Sequence, residues 1–295
     1  MIPMKFIPLA AFFSLFLSAA AKNHFAGIVA SNSLSRNAYT CRSQADWNQL
    51  AKDAKQQGFG AIRIEGFDCD ALDRASSAAA SVGIKVLAGI YASGTIASSL
   101  VSINNDVQTF RAAYKKYGAD RYLGLTVGNE VADSPGNIMN KVYDVRGYLG
   151  SVGVKTPVST AHIWVTVRDN PQLCGADFVA ANAHAFYDGN FDSNQAGDFV
   201  FNIVVPALKK ACPGKKIYIG ESGWPSRGSA HGKAKASVGD ERNAIRSLNC
   251  AARKDTSVSV FAFEYDDQLW KSNANEQSFG IFGKIKLNGD ALDSC

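Results

Sequence analysis

The feature that most constrains the fold of this 295-residue chain is one pattern that repeats along it. A short apolar stretch ends in polar residues and is followed by an amphipathic, helix-like stretch such as Asp46–Gln57 or Val107–Tyr117. Regular alternation of strands and helices predicts a parallel sheet, and eight such units predict an α/β fold closed into a single (β/α)8 TIM barrel. The predicted strands are Phe25–Ser31, Ala61–Gly66, Lys85–Ala92, Tyr122–Glu130, Val158–Trp164, Phe178–Tyr187, Lys216–Trp224 and Val258–Asp267.

The domain organisation follows from the same pattern. A chain of this length fits two small domains or one large barrel. No linker rich in Pro, Gly or Ser divides it, so we expect one domain over residues 22–295. The main competing fold is a doubly wound open sheet, but no Gly-x-Gly-x-x-Gly follows the first strand to support it.

The first 21 residues have the composition of a secretory signal peptide. Lys5 supplies a positive charge, an apolar run covers residues 6–17, and small residues follow at 18–21. A membrane span needs about 20 apolar residues, so this run is too short to be one. The alternative is a buried N-terminal helix. We expect residues 1–21 to be removed and the protein to be secreted, with no membrane attachment after cleavage.

The six cysteines agree with secretion. An even number in a secreted chain indicates disulfides, and they can pair in many ways. Pairing in sequence order is our preference, because neighbouring units of a barrel touch. No two cysteines form a Cys-x-x-Cys pair and the four histidines are not clustered, so we expect no metal and no other cofactor.

Composition narrows the classes of partner. With 46% hydrophobic and 19% charged residues the chain is globular. A net charge of +5 without a Lys/Arg run does not indicate a nucleic-acid partner. We expect a monomer.

Two carboxylates stand out at the ends of predicted strands, where the active site of such a barrel lies. Glu130 ends the fourth strand and Glu221 lies near the end of the seventh. Cleavage of a glycosidic bond needs such a pair, one protonated to donate to the leaving oxygen and one ionised to attack or to activate water. Two strand-end glutamates are also compatible with solvated or salt-bridged side chains, because the mouth of a barrel is polar.

Sequence motifs around both glutamates sharpen this interpretation. Val-Gly-Asn-Glu-Val at 127–131 and Gly-Glu-Ser-Gly-Trp-Pro-Ser at 220–226 resemble the two signatures of glycoside hydrolase family 17, which includes plant β-1,3-glucanases and fungal cell-wall glucanases and glucanosyltransferases. The second motif is highly specific, whereas Asn-Glu is shared by many glycosidase barrels. Similar stretches occur in order along the mature chain: Ile62–Ile64 with Asp68-Cys69, Asn182–Tyr187, and Phe263-Glu264 with Trp270-Lys271.

The resemblance assigns roles to several residues. It implies that Glu130 is the general acid/base and Glu221 the nucleophile, with Asn129 bonded to the sugar 2-hydroxyl. Asn129 is alternatively a turn residue. Arg63, pointing inward beneath the mouth, is expected to hold Glu221 ionised, or alternatively to form a structural ion pair.

Other residues of the matched motifs are candidates for substrate contact. Aromatic faces suit the C–H faces of sugars, although core packing is the alternative for each ring. Together with Arg63, Glu65 and Asn129, the candidates are Tyr91 near the end of the third predicted strand and, within the matched motifs, Tyr187, Trp224, Glu264 and Lys271.

Two positions depart from the family pattern. Glu65 occupies a position where the family usually has an aromatic residue, and Ala185 one where it often has proline. Glu65 is expected to face the groove on the donor side and to bind sugar hydroxyls, the alternative being a pair with Arg63.

The resemblance implies a retaining enzyme acting on β-1,3-glucan and its oligosaccharides in the remodelling of a fungal cell wall. Hydrolysis and transfer to another sugar both proceed through the same covalent intermediate, and the sequence leaves both open. A catalytically silent glucan-binding wall protein on the same barrel is the alternative. A barrel acting on phosphorylated metabolites conflicts with the signal peptide and lacks a Gly-rich phosphate loop.

Overall fold

The computed structural model describes residues 23–293 and 295. The predicted signal peptide, residues 1–21, lies outside the described residues. The remaining chain matches the fold that the alternating pattern predicts.

Eight parallel strands of the described chain close into a barrel in sequence order, and the ladder between the first and the eighth strand completes the ring. All eight ladders are parallel, as a strand–helix alternation requires. The open doubly wound sheet is therefore excluded. The strands are β1 Gly27–Val29, β2 Ala61–Arg63, β3 Lys85–Ile90, β4 Tyr122–Asn129, β5 Val158–Ile163, β6 Val179–Asn182, β7 Ile217–Gly223 and β8 Val258–Phe263.

Helices follow the strands and surround the barrel. Long helices follow β1, β2, β3, β4 and β7, whereas β5 and β6 are followed by shorter helical pieces. Short 3-10 turns and a π-helical segment at Phe199–Val204 join several of them. The helices are α1 Gln44–Gln56, α2 Ala71–Val82, α3 Leu100–Tyr117, α4 Pro135–Ser151, α5 Trp164–Asp169, α6 Ala185–Asp188, α7 Ala196–Asp198, α8 Val205–Ala211 and α9 Val238–Lys254.

Local sequence fixes the ends of these helices. Ser43 caps α1 by accepting from the backbone N–H of Asp46, whose side chain accepts in return from the N–H of Ser43. This capping box satisfies two backbone donors that would otherwise be unpaired. Ser134 caps α4 through a single bond, its side chain accepting from the backbone N–H of Asn137, and Pro135 follows at the first helical position, where its missing N–H costs nothing.

Alternate residues of each strand contribute to two separate apolar cores. One set packs outward against the helices, as Ile28 and Ile62 do. The other set fills the barrel interior and includes Tyr218 and the rings of Phe178 and Phe261. Two glycines make room for these rings: a Cβ at Gly124 would lie 2.7 Å from the Phe178 ring, and one at Gly27 would lie 2.5 Å from Phe261.

Most observed strands end before their predicted ends. β1, β2, β6 and β8 stop at Val29, Arg63, Asn182 and Phe263, and the segment predicted to continue β6 turns into α6. The apolar and polar alternation continues beyond the last ladder hydrogen bond, because residues in the following turn still pack on the barrel. Conversely, α3 begins at Leu100, seven positions before the predicted start at Val107.

Three disulfides join the six cysteines in sequence order, which confirms the preferred pairing. Cys41–Cys69 links the loops after β1 and β2 at the mouth of the barrel. Cys174–Cys212 links the segments that precede β6 and β7 at the opposite end. Cys250–Cys295 ties α9 to the last residue.

No helix within residues 23–293 combines the length and the apolar character needed to cross a bilayer.

Candidate active site

Irregularities in the strand register place polar side chains at the carboxyl end of the barrel. A bulge inserts a residue into one strand, bends it and redirects the following side chain, and bulges are common beside active sites. Two occur at the strand ends that carry the candidate residues. β4 has one extra residue between Thr126 and Asn129 relative to β5, and β7 has one extra residue between Ile219 and Glu221 relative to β6, which also shifts the register of β7 with β8.

Glu130 leaves the end of β4 in an unusual backbone conformation. Its φ of 53° lies in the left-handed region, and its N–H donates to the carbonyl of Ala161. Gly128, two residues earlier, has φ 83°. A left-handed non-glycine residue costs about 1–2 kcal/mol, and such strain gathers at functional sites. The exposed side chain of Glu130 is thereby directed into the barrel mouth.

Glu221, in contrast, is buried with 6% of its surface exposed. Its Oε1 accepts from Arg63 Nη1 at 2.6 Å, and its Oε2 lies 3.4 Å from His184 Nε2. Burial by itself would raise the pKa of Glu221, but the Arg63 guanidinium and His184 outweigh it and hold the pKa well below its usual range. Glu221 is therefore ionised under all but strongly acidic conditions.

Arg63 lies beneath the mouth, as predicted, and is 1% exposed. Besides Glu221 it donates to the carbonyl of Gly220 at 3.2 Å and to Asn129 Oδ1 at 3.0 Å. A Cβ at Gly220 would lie 3.4 Å from the guanidinium carbon, so glycine there allows the side chain to lie against β7. A third carboxylate, Glu65, lies 3.3 Å from Arg63 Nη1.

Asn182 connects the two halves of the site, and the sequence-based prediction did not include it. Its Nδ2 donates to Glu130 Oε1 at 2.8 Å and to Asn129 Oδ1 at 3.0 Å. Partial burial and the negative charge of Glu221 raise the pKa of Glu130, while the hydrogen bond from Asn182 partly opposes them. Asn182 lies at the end of β6, paired in register with Glu221. The sequence feature that could have identified it is its place in the Asn182–Tyr187 motif.

Glu130 and Glu221 line one cavity of about 400 Å³, here called the catalytic pocket. Tyr187 is 44% exposed on its wall and donates through its hydroxyl to Glu276 Oε1. Trp164 and Ile163 line the same wall. Glu276 was not predicted, because it belongs to the loop beyond β8, where the strand pattern carries no information.

A second cavity of about 740 Å³ adjoins the first, with Phe263 lining both. Four predicted substrate residues lie here: Glu65, Tyr91, Glu264 and Lys271. Tyr91 is 57% exposed, which suits a platform for a sugar ring, whereas Glu264 is 2% exposed at the base.

Glu264 and Lys271 form a loose ion pair. Lys271 Nζ lies 3.7 Å from Glu264 Oε1 and 3.6 Å from Glu276 Oε2, so one cation serves two carboxylates. Burial raises the pKa of Glu264 to about 8, although Lys271 lowers it. Glu264 thus keeps its proton to a higher pH than an ordinary glutamate does.

One predicted contact residue is wrong. Trp224 is 0% exposed, its ring packs edge-on against Phe186 at 5.3 Å, and its indole N–H donates to the carbonyl of Lys235 at 2.7 Å. The motif places it at a strand end, but the chain turns there and the ring enters the core behind the barrel wall. Trp224 therefore supports the mouth from outside and offers no face to a sugar.

The pKa values of the two carboxylates that line the catalytic pocket are shifted in opposite directions, which is the arrangement that acid catalysis combined with nucleophilic attack uses. Within the described residues, no three His, Cys, Asp or Glu side chains are grouped so that they could hold a metal ion.

Comparison with known proteins agrees with this geometry. Residues 28–281 match the BtgE/BtgC glycoside hydrolase domain. The cell surface mannoprotein MP65 of Candida albicans is 31% identical over 82% of this chain, and the protein named "Probable family 17 glucosidase SCW10" of Saccharomyces cerevisiae is also 31% identical over 82%. The matched regions span 63% and 61% of those two proteins.

Solved structures show the same fold. The glycoside hydrolase family 17 β-1,3-glucanosyltransferase of Rhizomucor miehei superposes with a TM-score of 0.74 at 19% identity, covering 90% of this chain and 97% of that one. The chain therefore belongs to the BtgE/BtgC glycoside hydrolase domain family, a fungal branch of glycoside hydrolase family 17.

Proposed function

We propose that the protein is a retaining enzyme that cleaves β-1,3-glucan and transfers the released glycosyl group, with Glu130 as general acid/base and Glu221 as nucleophile. The observation that carries the proposal is that these two carboxylates line one pocket and have pKa values shifted in opposite directions. Arg63 holds the pKa of Glu221 low, and the negative charge of Glu221 in turn helps to raise the pKa of Glu130. The names of the relatives, a family 17 glucosidase and a β-1,3-glucanosyltransferase, support the class of substrate.

In the first step, a Glu221 oxygen attacks the anomeric carbon while Glu130 donates its proton to the leaving glycosidic oxygen. Arg63 and His184 hold the nucleophile in position. Asn129 Oδ1 already accepts from Arg63 and Asn182, and its Nδ2 makes no hydrogen bond with any described residue. The free Nδ2 is thus oriented to donate to the sugar 2-hydroxyl.

In the second step, Glu130, now ionised, takes a proton from the incoming hydroxyl as it displaces Glu221. Water as acceptor gives hydrolysis, and a sugar hydroxyl gives transfer. The wall formed by Ile163, Trp164 and Tyr187 is apolar and aromatic, which favours a sugar ring over water at the acceptor side. We therefore expect transfer to compete with hydrolysis.

We further propose that the protein acts outside the cell, at the cell wall. The residues preceding the barrel have the composition of a secretory signal, and the disulfides require an oxidising environment. MP65 is named as a cell surface protein, which supports the same location.

The proposal is tested by incubating the protein with short β-1,3-gluco-oligosaccharides and sizing the products. Products longer than the donor demonstrate transfer, and shorter ones alone demonstrate hydrolysis. Glu221→Gln keeps the shape of the side chain and removes the nucleophile, so it should abolish turnover while the fold persists. Wild-type protein that binds the oligosaccharides but leaves them unchanged would support a silent glucan-binding protein instead.

A further inference from the structure

The larger cavity is lined by an excess of carboxylates. We call Glu65, Asp68, Asp106 and Glu264 the acidic arm. Lys271 is the one basic side chain among the described residues that line this cavity, and Glu264 and Glu276 already share it. The whole chain carries a net charge of +5, so this concentration of negative charge is local and opposite to the overall charge.

Two members of the acidic arm pair with no cation among the described residues. Asp68 accepts only from neutral donors, the Tyr39 hydroxyl at 2.5 Å and Asn32 Nδ2 at 2.6 Å. Asp106, half-buried on α3, makes no hydrogen bond or ion pair with any described residue. Burial and the nearby charge of Asp68 raise the pKa of Asp106 to about 6. Its ionised form therefore has no stabilising partner in the part of the chain that the structure describes.

A second observation is independent of these charges. Asn32 and Glu264 also line the cavity, with 6% and 2% of their surfaces exposed. Asn32 Oδ1 and Glu264 Oε1 accept no hydrogen bond from any described residue. Buried acceptors without donors are costly, and most such groups in proteins are satisfied. A ligand that brings several donors would relieve this deficit.

The walls of the cavity indicate that this ligand is a sugar chain. Tyr91 and Trp270 are 57% and 36% exposed and present flat apolar faces. Phe263 lines both cavities, so a chain cleaved in the catalytic pocket can continue into the acidic arm. Aromatic faces bind the C–H faces of a pyranose, while the carboxylates surround its edge.

We propose that the acidic arm binds a β-linked glycan in which at least one residue is a hexosamine with a free amino group, the ammonium lying between Asp68 and Asp106. The inference rests on the proposed function, because it names the class of chain that the same groove takes. A glucose residue supplies hydroxyl donors but leaves the carboxylate charges unpaired. An ammonium supplies three donors and the missing positive charge.

Proton release provides a signature of this binding mode. A bound ammonium favours the ionised carboxylate and lowers the pKa of Asp106, so protons leave the protein near pH 6. Calorimetric titration in two buffers of different ionisation enthalpy measures the number released. A neutral glucan chain should release none.

The test uses the Glu221→Gln protein, which does not turn over its ligand, and three tetrasaccharides of one linkage. These are laminaritetraose, its analogue with free 2-amino groups, and the N-acetylated form of that analogue. At pH 6 and low salt the amino form should bind about tenfold more tightly than laminaritetraose, and the N-acetyl form should show no gain. Equal or weaker binding of the amino form overturns the proposal.

Matched variants separate the acidic arm from general charge effects. Asp106→Asn and Asp68→Asn should each remove most of the preference for the amino form, measured as the ratio of its affinity to that of laminaritetraose in the same variant. Asp120→Asn makes the same charge change in the turn before β4, at the opposite end of the barrel, and should keep the full preference. Loss of the preference in this control also overturns the proposal.

Failure of the inference is distinguishable from failure of the proposed function. Wild-type protein that cleaves or elongates laminari-oligosaccharides, while showing no amino preference, refutes the acidic-arm proposal alone. Wild-type protein that does not act on β-1,3-glucan refutes the proposed function, whichever tetrasaccharide it binds.

Discussion

At the scale of single residues, the site depends on one buried cation that acts on several acidic groups. Arg63 contacts Glu221 at 2.6 Å and Glu65 at 3.3 Å, and it orients Asn129. It holds the pKa of Glu221 low, and the ionised Glu221 contributes to the raised pKa of Glu130. The division of labour that we propose for the two carboxylates thus originates in a residue that need not touch the substrate.

The pH dependence of activity follows from these directions. Turnover needs ionised Glu221 and protonated Glu130, so kcat/KM should fall as pH rises through the raised pKa of Glu130. Glu130→Gln should slow cleavage of natural linkages by about 100-fold or more. It should slow cleavage of substrates with activated leaving groups much less, because those leaving groups need little protonation. When Glu130→Gln acts on these activated substrates, the fall of kcat/KM at high pH (the alkaline limb) should disappear.

Glu276→Gln removes a carboxylate from the rim of the same pocket and should keep that limb, which makes it the matched control. An alkaline limb that persists in Glu130→Gln would assign the general acid to another group.

Glu65 is one of the two positions where the sequence is expected to depart from the family pattern. Its side chain keeps 34% of its surface exposed, and Arg63 has Glu221 and Asn129 as closer partners. Removing Glu65 therefore does not leave Arg63 unpaired. We expect Glu65→Tyr to fold with stability within about 1 kcal/mol of wild type and to change the preferred oligosaccharide length. Product sizing and thermal unfolding check both statements.

Glu65→Gln keeps the shape of the side chain and separates loss of charge from gain of an aromatic ring. A marked fall in melting temperature with an unchanged cleavage pattern would show that Glu65 is a structural partner of Arg63.

Residue identity alone predicted only part of this site. The two catalytic candidates and Arg63 stood at strand ends within specific motifs, and the structure brings all three together. Trp224 stood in the same motif, but which side of a turn a ring enters depends on what packs there, in this case Phe186. No sequence feature marked Asp106 as a site residue, because it lies in the middle of α3 and reaches the groove only through the packing of that helix.

At the scale of elements, the order and type of strands were predictable and their ends were not. Periodicity reports which face of a segment is buried, and a buried face extends past the last ladder hydrogen bond. The bulges in β4 and β7 lie next to Glu130 and Glu221, and a bulge of one residue is not visible in an apolar pattern.

The disulfides should differ in their effect on function, because they lie at opposite ends of the barrel. Cys69 directly follows Asp68 of the acidic arm, and Cys69 and Asp70 have φ values of 60° and 55°. Replacing Cys41 and Cys69 by serine should lower stability by about 2–4 kcal/mol and also weaken oligosaccharide binding, since the loop that holds Asp68 is released.

The same replacement at Cys174 and Cys212 is the control. It should cost a similar stability and leave binding in the folded protein unchanged, as measured by denaturant unfolding and calorimetry. Equal losses of binding in both double variants would contradict a local role for Cys41–Cys69.

At the scale of the whole molecule, the fold buries carboxyl groups that favour the protonated form. Glu241 in the first turn of α9 is 0% exposed, and Glu264 is 2% exposed. Burial raises the pKa of each to about 8, against the opposing effects of Lys284 and Lys271 respectively. An unfolded chain would ionise both groups near their ordinary values, so between those values and pH 8 the folded state binds more protons.

The free energy of unfolding should therefore fall as pH rises from about 5 to about 8, by at most about 1.4 kcal/mol per pH unit for each such group. Glu241→Gln should reduce this slope, because it removes one titrating group and leaves Lys284 bonded to Asp267 at 2.7 Å and to Ser226 at 2.6 Å. Chemical unfolding at several pH values measures the slope, with the exposed Asp120→Asn variant as the control that should reproduce the wild-type curve. A wild-type protein whose stability rises across this range, or a Glu241→Gln slope equal to that of wild type, would show that Glu241 enters the folded state already ionised and paired with Lys284.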